Sequence, residues 1–88
     1  MKITVDVEKE IVAIGGMYHA DAEKELLNLG SKQENIWGGG FDIITKSFET
    51  NAVVNIRPLI NQSSEILNDK IRNKFLKITE KYLKNYVK

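Results

Sequence analysis

The chain contains no cysteine, which excludes disulfide bonds, thiolate zinc sites and cysteine nucleophiles. It has a single histidine, so a transition-metal site could not draw on a second imidazole. No window approaches the ~20 consecutive apolar residues that a membrane helix needs, and the start of the chain lacks the apolar run of a signal peptide. We therefore expect a cytoplasmic protein that binds no membrane, metal or other cofactor.

The chain is also short, and this limits the core that it can build. With 88 residues it has room for one domain, which we expect to span residues 1–88. Domains of this size bury a modest share of their surface, so their stability is marginal, and many are stabilised by pairing with a second copy. We therefore expect self-association, most simply as a homodimer.

Two segments carry the alternation typical of strands and hairpins. In "KITVDV" the apolar residues Ile3, Val5 and Val7 alternate with polar ones, and "IVAIGG" follows after the polar break "EKE". Later, "IWGGGFDIITK" and "SFETNAVVNIRP" predict a second hairpin, in which Pro58 ends the last strand.

The remaining segments predict two helices. "YHADAEKELLNLG" has apolar residues three or four apart, and Gly30 stands where a left-handed cap is favoured. From "LNDKIRNKF" onward an apolar stripe runs to the end of the chain, including Tyr86 and Val87. The order is ββαββα. We expect an α+β two-layer sandwich, in which a four-stranded antiparallel sheet carries both helices on one face.

Three consecutive glycines, Gly38, Gly39 and Gly40, interrupt the predicted third strand. Glycine in a strand interior costs conformational entropy and packs nothing, so a compensating reason is expected. The segment lacks the Gly-Lys-Ser/Thr of a P-loop and the spacing of a dinucleotide fingerprint. A bulge or sharp bend is favoured over a ligand groove lined with bare backbone, and both are favoured over a nucleotide cradle.

If the strands are regular, one groove collects the best candidates for binding a small molecule. Trp37 would stack on a planar group beside Gly38 and Gly39, Arg57 would bind a carboxylate or phosphate, and Asn55 would orient it. The alternative is structural, with Trp37 as a core anchor and Arg57 in a surface ion pair.

An enzymatic alternative rests on His19. A hydrolase could use His19 as general base with Asp21 or Glu34 as its partner, and His19 with Asp21 and Glu23 could hold a metal ion. Against both, acidic residues at the start of a helix are expected simply because they complement its dipole.

The last helix is strongly basic. Residues 68–88 hold seven lysines or arginines against two acidic residues, a net charge of +5, whereas the rest of the chain sums to −4. Lys74, Lys77 and Lys81 could contact nucleic acid phosphates. Arginine is scarce and lysine is common on solvated helix faces, so we expect no nucleic acid partner.

Taken together, "HADAEKELL", "GSKQENIWGGGFD", "VVNIRP" and "SSEILNDKIR" resemble a small family of short prokaryotic proteins of unknown function. The likeness runs from about Val5 to Phe75 and is carried by the order of His-Ala-Asp, Ser-Lys-Gln-Glu-x-x-Trp-Gly and Asn-Ile-Arg-Pro. The resemblance implies no activity, substrate or cofactor. The positions that match its recurrent motifs are His19, Asp21, Ser31, Gln33, Glu34, Trp37, Gly38, Asn55, Arg57, Pro58, Asn61, Glu65 and Arg72.

Overall fold

A computed structural model describes residues 1–16 and 18–87, with side chains of the last helix described up to Lys84. The side chains of Tyr86 and Val87, which we predict to extend the apolar stripe, lie outside the described residues. In chain order the elements are β1 (Lys2–Asp6), β2 (Ile11–Ile14), α1 (His19–Asn28), a 3-10 turn (Gln33–Asn35), β3 (Ile36–Asp42), β4 (Ser47–Glu49), a second 3-10 turn (Val53–Asn55) and α2 (Asp69–Val87).

The strands form one antiparallel sheet in the order β2-β1-β3-β4. The predicted α+β class, the ββαββα order and the four-stranded antiparallel sheet are confirmed. Within the part of the chain that the structure describes, no helix is both long and apolar enough to cross a membrane.

The turns of the two hairpins are stabilised by the same type of hydrogen bond, from backbone N–H groups to an aspartate side chain. Oδ1 of Asp6 accepts hydrogen bonds from the backbone N–H groups of Glu8 and Lys9, and Oδ1 of Asp42 does the same for the second and third residues that follow it. The residues that end these turns, Glu10 and Lys46, both have φ of 57°. Each turn therefore begins with an aspartate whose side chain accepts backbone hydrogen bonds. Neither turn has the Asn-Gly pair of a two-residue hairpin.

The strand register places the two helices on opposite faces of the sheet. Gly38 and Gly39 are consecutive residues of β3, so their Cα hydrogens point to opposite faces. His19 of α1 contacts Gly38, and Phe75 of α2 contacts Gly39. The expected placement of both helices on one face of a two-layer sandwich is therefore corrected: α1 and α2 sandwich the sheet between them.

The main core lies between the sheet and α2. It joins Ile3, Val5, Trp37 and Phe41 from the sheet to buried α2 residues, among them Phe75 and further apolar positions on the predicted stripe (Ile78, Leu83). The opposite face of β1 is also covered, because Thr4 and Asp6 are almost completely buried.

The helix ends follow the sequence in part. Oδ1 of Asn68 accepts the N–H of Ile71 and caps α2, and Gly30 has φ of 95° after α1, as predicted. The N-cap of α1 is Tyr18, with no side-chain cap hydrogen bond.

Two expectations for the third and fourth strands are wrong. β3 pairs residue for residue with β1 through all three glycines, so they form neither a bulge nor a bend. The last strand ends at Glu49 rather than at Pro58, and residues 53–55 form a 3-10 turn. Asn55 and Arg57 consequently do not share a strand face.

Candidate functional site

The segment 53–57 runs along the part of the β3 edge that the short β4 leaves uncovered. The side-chain amide of Asn55 lies against Gly38: Oδ1 accepts the Gly38 N–H at 2.8 Å, and Nδ2 donates to the Gly38 carbonyl at 2.9 Å. These are the two hydrogen bonds that a neighbouring strand residue would make. The Asn55 side chain thus satisfies the backbone N–H and carbonyl groups of Gly38 at the edge of the sheet. The backbone of residues 53–57 therefore does not have to adopt a strand conformation.

Residues 50–67 form one polar-linked segment, which we call the 50–67 loop. Nδ2 of Asn55 also donates to the Ser64 carbonyl at 2.9 Å. The buried Asn61 amide donates to the carbonyls of Asn55 and Glu65 at 3.0 and 2.7 Å, and its Oδ1 accepts the Leu67 N–H at 3.0 Å. Two buried asparagines therefore hold the loop in one conformation, because each would leave several buried backbone groups unsatisfied if the loop opened.

This loop positions Arg57, which is 8% exposed. Its guanidinium lies over the ring of Trp37, with Cζ 4.3 Å from the ring centroid. One terminal nitrogen donates to the Ile36 carbonyl and the other to the Glu34 carbonyl, the latter at 3.3 Å. Nε is buried and has no hydrogen-bond partner among the described residues.

Among the described residues, no ion pair neutralises the charge of Arg57. Within residues 1–16 and 18–87, the ion pairs join Arg72 to Asp69 and Lys74 to Glu8, and none includes Arg57. Burial lowers the pKa of the Arg57 guanidinium, while attraction to the Glu23 carboxylate opposes that change. An arginine retains its proton in proteins, so this is a buried positive charge that two carbonyls and an aromatic face contact directly and that the Glu23 carboxylate attracts without forming an ion pair among the described residues.

The five residues predicted to bind a ligand are brought together, but most of them lie in the protein interior. Trp37 is 2% exposed and belongs to the main core. The space beside Gly38 is filled by His19, Ala52 and Val54, and the space beside Gly39 by Phe75 and the Glu49 carbonyl. Asn55 is fully buried. Of this set, Gly39 lines a hollow on the far side of His19, and Arg57 borders an accessible cleft next to the start of α1.

That opening, which we call the Arg57 cleft, is a hollow of about 550 Å³ between the start of α1 and the 50–67 loop. Its polar walls include His19 and Glu23 from α1, Gln33 and Lys2. Its apolar walls are formed by Tyr18, Val53, Val54 and Ile56. A cleft with a buried cation, a facing carboxylate and apolar walls has the character of a small-molecule site.

His19 is held by the sheet rather than by a carboxylate. Its Nε2 lies 2.7 Å from the Gly39 carbonyl oxygen, and since a carbonyl can only accept, Nε2 carries the proton and donates it. Asp21 and Glu34 are exposed, and Glu34 contributes its backbone carbonyl to Arg57. Among the described residues, histidine and acidic side chains form no group of three that could hold a metal ion.

A second hollow of about 730 Å³ lies on the other side of His19, where Lys2, Asp42 and Glu49 are found with the turn residues Ile43 and Ile44. It contains no counterpart to Arg57, since each of its charged side chains is at least partly exposed. The lysines of α2 that were considered for nucleic acid binding, Lys74, Lys77 and Lys81, are also exposed.

Four residues of the cleft, Arg57, His19, Glu23 and Gln33, are among those that the sequence singles out, whereas its apolar walls are not. The sequence pattern places Tyr18 in the first predicted helix and Val53 and Ile56 in a predicted strand. The available signal was the pair Asn55 and Asn61, because two asparagines flanking an arginine and a proline favour a loop with side-chain to backbone hydrogen bonds over a regular strand.

No curated protein and no solved structure matches the chain. One family model does match, over residues 1–82, and its description is "Protein of unknown function (DUF5674)". The match covers the sheet, the Arg57 cleft and most of α2. The chain therefore belongs to the DUF5674 family of proteins of unknown function.

Proposed function

We propose that the chain is a small ligand-binding module whose Arg57 cleft takes a small organic anion, a carboxylate or a phosphate. One observation carries the proposal: Arg57 is only 8% exposed, borders the cleft and lacks an ion-pair partner among the described residues. A buried charge without an ion-pair partner is costly, and a ligand anion would supply a counter-charge in direct contact with the guanidinium.

The chemistry of the guanidinium suits this role. It has five N–H donors in one plane, and the carbonyls of Ile36 and Glu34 engage one donor on each terminal nitrogen. The donors that remain can bind a carboxylate or phosphate in the geometry that arginine favours. In this proposal Trp37 and Asn55 are positioning residues, since Trp37 supports the guanidinium and Asn55 holds the loop that carries it.

The sole tryptophan gives a direct assay. Because the guanidinium lies on its ring, an anion bound to Arg57 is expected to change the fluorescence of Trp37. The titration uses benzoate and phenyl phosphate, with benzamide as the neutral control. At a concentration ten times its dissociation constant, a true ligand should add about 1.4 kcal/mol to the free energy of unfolding, a rise of roughly 6 °C or more in melting temperature.

Variants separate the cleft from the rest of the surface. Arg57→Gln should abolish the response to both anions. Because Arg57 is buried, the exposed cleft residue Tyr18 gives a second test, and Tyr18→Ala should weaken binding several-fold. Tyr82→Ala, which removes an exposed tyrosine on α2, is the matched control and should leave binding unchanged. Equal responses to benzoate and benzamide would contradict the proposal.

The same loop also supports self-association, the second part of the proposal. Val53, Leu59 and Ile60 present large apolar side chains to solvent, and Leu59 is 94% exposed. A rigid loop that carries several exposed apolar residues is typical of an interaction surface. Sedimentation velocity over a range of protein concentrations tests this, and a monomer at every concentration would contradict it.

A further inference from the structure

Charges of both signs line the Arg57 cleft: the buried Arg57 and the exposed Lys2 are positive, and Glu23 is negative. Arg57 comes from the 50–67 loop, and Glu23 comes from the middle of α1. The two groups attract each other, yet they form no ion pair among the described residues. Both are borne on fixed elements: hydrogen bonds to Ile36 and Glu34 hold the guanidinium, and the α1 backbone holds Glu23.

We infer that the ligand of this cleft is a zwitterion, specifically a free apolar α-amino acid; this inference rests on the anion-binding function proposed above. Its carboxylate would bind Arg57, and its ammonium group would face Glu23. A simple anion would offer a partner to Arg57 but would be repelled by the Glu23 carboxylate, whereas a zwitterion offers a group of opposite sign to Arg57 and to Glu23 alike.

The remaining walls favour an apolar side chain on that ligand. Tyr18, Val53 and Ile56 border the same hollow, and all three are exposed to solvent. An apolar side chain that covers them would remove apolar surface from water and add affinity that the two charged groups do not provide. His19 and Gln33 also line the hollow and can contribute further hydrogen bonds, His19 through Nδ1, because its Nε2 is engaged by the Gly39 carbonyl.

The test compares three probes that differ in one charge each. The probes are L-phenylalanine, N-acetyl-L-phenylalanine, which lacks the ammonium charge, and L-phenylalaninamide, which lacks the carboxylate. We expect L-phenylalanine to bind the full chain at least about tenfold more tightly than either analogue, measured by calorimetry and by Trp37 fluorescence. A peptide terminus has only one of the two charges, so the analogues also distinguish a free amino acid from a peptide end.

The Glu23→Gln variant assigns the ammonium preference to one residue. It should weaken L-phenylalanine at least about tenfold and leave N-acetyl-L-phenylalanine unchanged or tighter. Glu25→Gln, an exposed position on the same helix that is not part of the cleft, is the control and should change neither.

The outcomes separate this inference from the function on which it rests. If the N-acetyl compound binds as tightly as the free amino acid and Glu23→Gln has no effect, the zwitterion is overturned while the anion site stands. If the amide binds best, both are overturned. If L-phenylalanine does not bind and benzoate does, the inference fails and the anion site stands.

Discussion

Replacing Asn55 by aspartate should destabilise the fold strongly and make its stability depend on pH. The change keeps the size of the side chain and the acceptor for the Gly38 N–H. It replaces Nδ2, which donates to the carbonyls of Gly38 and Ser64 at 2.9 Å each, by an oxygen that faces the same two acceptors. The new carboxylate oxygen and the carbonyl oxygens of Gly38 and Ser64 then lie close together, with no donor between them.

The magnitude follows from those contacts. Each buried carbonyl left without its donor costs about 1–3 kcal/mol, so the loss of the two short hydrogen bonds amounts to about 2–6 kcal/mol. A native domain of this size has a free energy of unfolding of about 5–13 kcal/mol, so the variant should be close to the limit of folding at pH 7.

Protonation should restore part of that stability. Burial and the facing carbonyls raise the pKa of the new carboxyl group in the folded chain above its unfolded value of about 3.9. The folded state therefore holds the proton more tightly, and the stability of the variant should increase as the pH falls from the folded pKa to about 4. The slope in that window is about 1.4 kcal/mol per pH unit.

Urea unfolding at several values between pH 4.5 and 7.5, followed by circular dichroism, measures both effects. The control is Asn73→Asp on the exposed side of α2, which should cost less than about 1 kcal/mol and show no such slope. An Asn55→Asp variant as stable as the parent at pH 7, or one whose stability does not rise on acidification, would refute the strand-like role of the Asn55 amide.

Two further predictions concern Gly39 and the exposed surface of the 50–67 loop. A methyl group at Gly39 would collide with the Glu49 carbonyl and lie 2.7 Å from Phe75. Gly39→Ala should therefore lower the free energy of unfolding, measured in urea, by about 3 kcal/mol or more. Gly40→Ala is the control and should lower it clearly less, because the atom nearest to the added methyl group is 3.1 Å away. Leu59→Lys should abolish the concentration dependence of the sedimentation coefficient. The melting temperature should stay within a few degrees, because Leu59 is 94% exposed. Leu29→Lys, which replaces an exposed leucine at the end of α1, is the control, and equal effects of the two variants would argue against a specific surface.

The elements that depend on local signals could be predicted from the sequence. The alternation in β1 predicted its core face, since Ile3 and Val5 are both buried against α2, and Asn68 and Gly30 mark helix ends as their chemistry requires. Helix placement could not be predicted from the same alternation. Polar residues that alternate with an apolar face normally indicate a solvent-exposed face, but Thr4 and Asp6 are buried on the side of the sheet that α1 covers.

The 50–67 loop was mispredicted because β propensity and side-chain hydrogen bonding favoured different structures there. Val53, Val54 and Ile56 favour a strand. The Asn55 amide instead supplies the hydrogen bonds that the strand edge needs, and Asn61 satisfies the carbonyls of the returning chain. The contact between Asn55 and Gly38 joins residues 17 positions apart, so local sequence patterns contain no signal for it.

The glycines of β3 connect this loop to the cleft. Gly38 allows the Val54 and Ala52 side chains to reach the sheet, since an added Cβ would lie within 3 Å of each. This close approach lets Asn55 span Gly38, and two residues later Arg57 reaches the Ile36 carbonyl and the Trp37 ring. A side chain at Gly38 would push the loop outward and remove the guanidinium from its place. Glycine at position 38 is therefore required for the buried Arg57 cation at the cleft, and this requirement explains why the strand tolerates the entropic cost of glycine there.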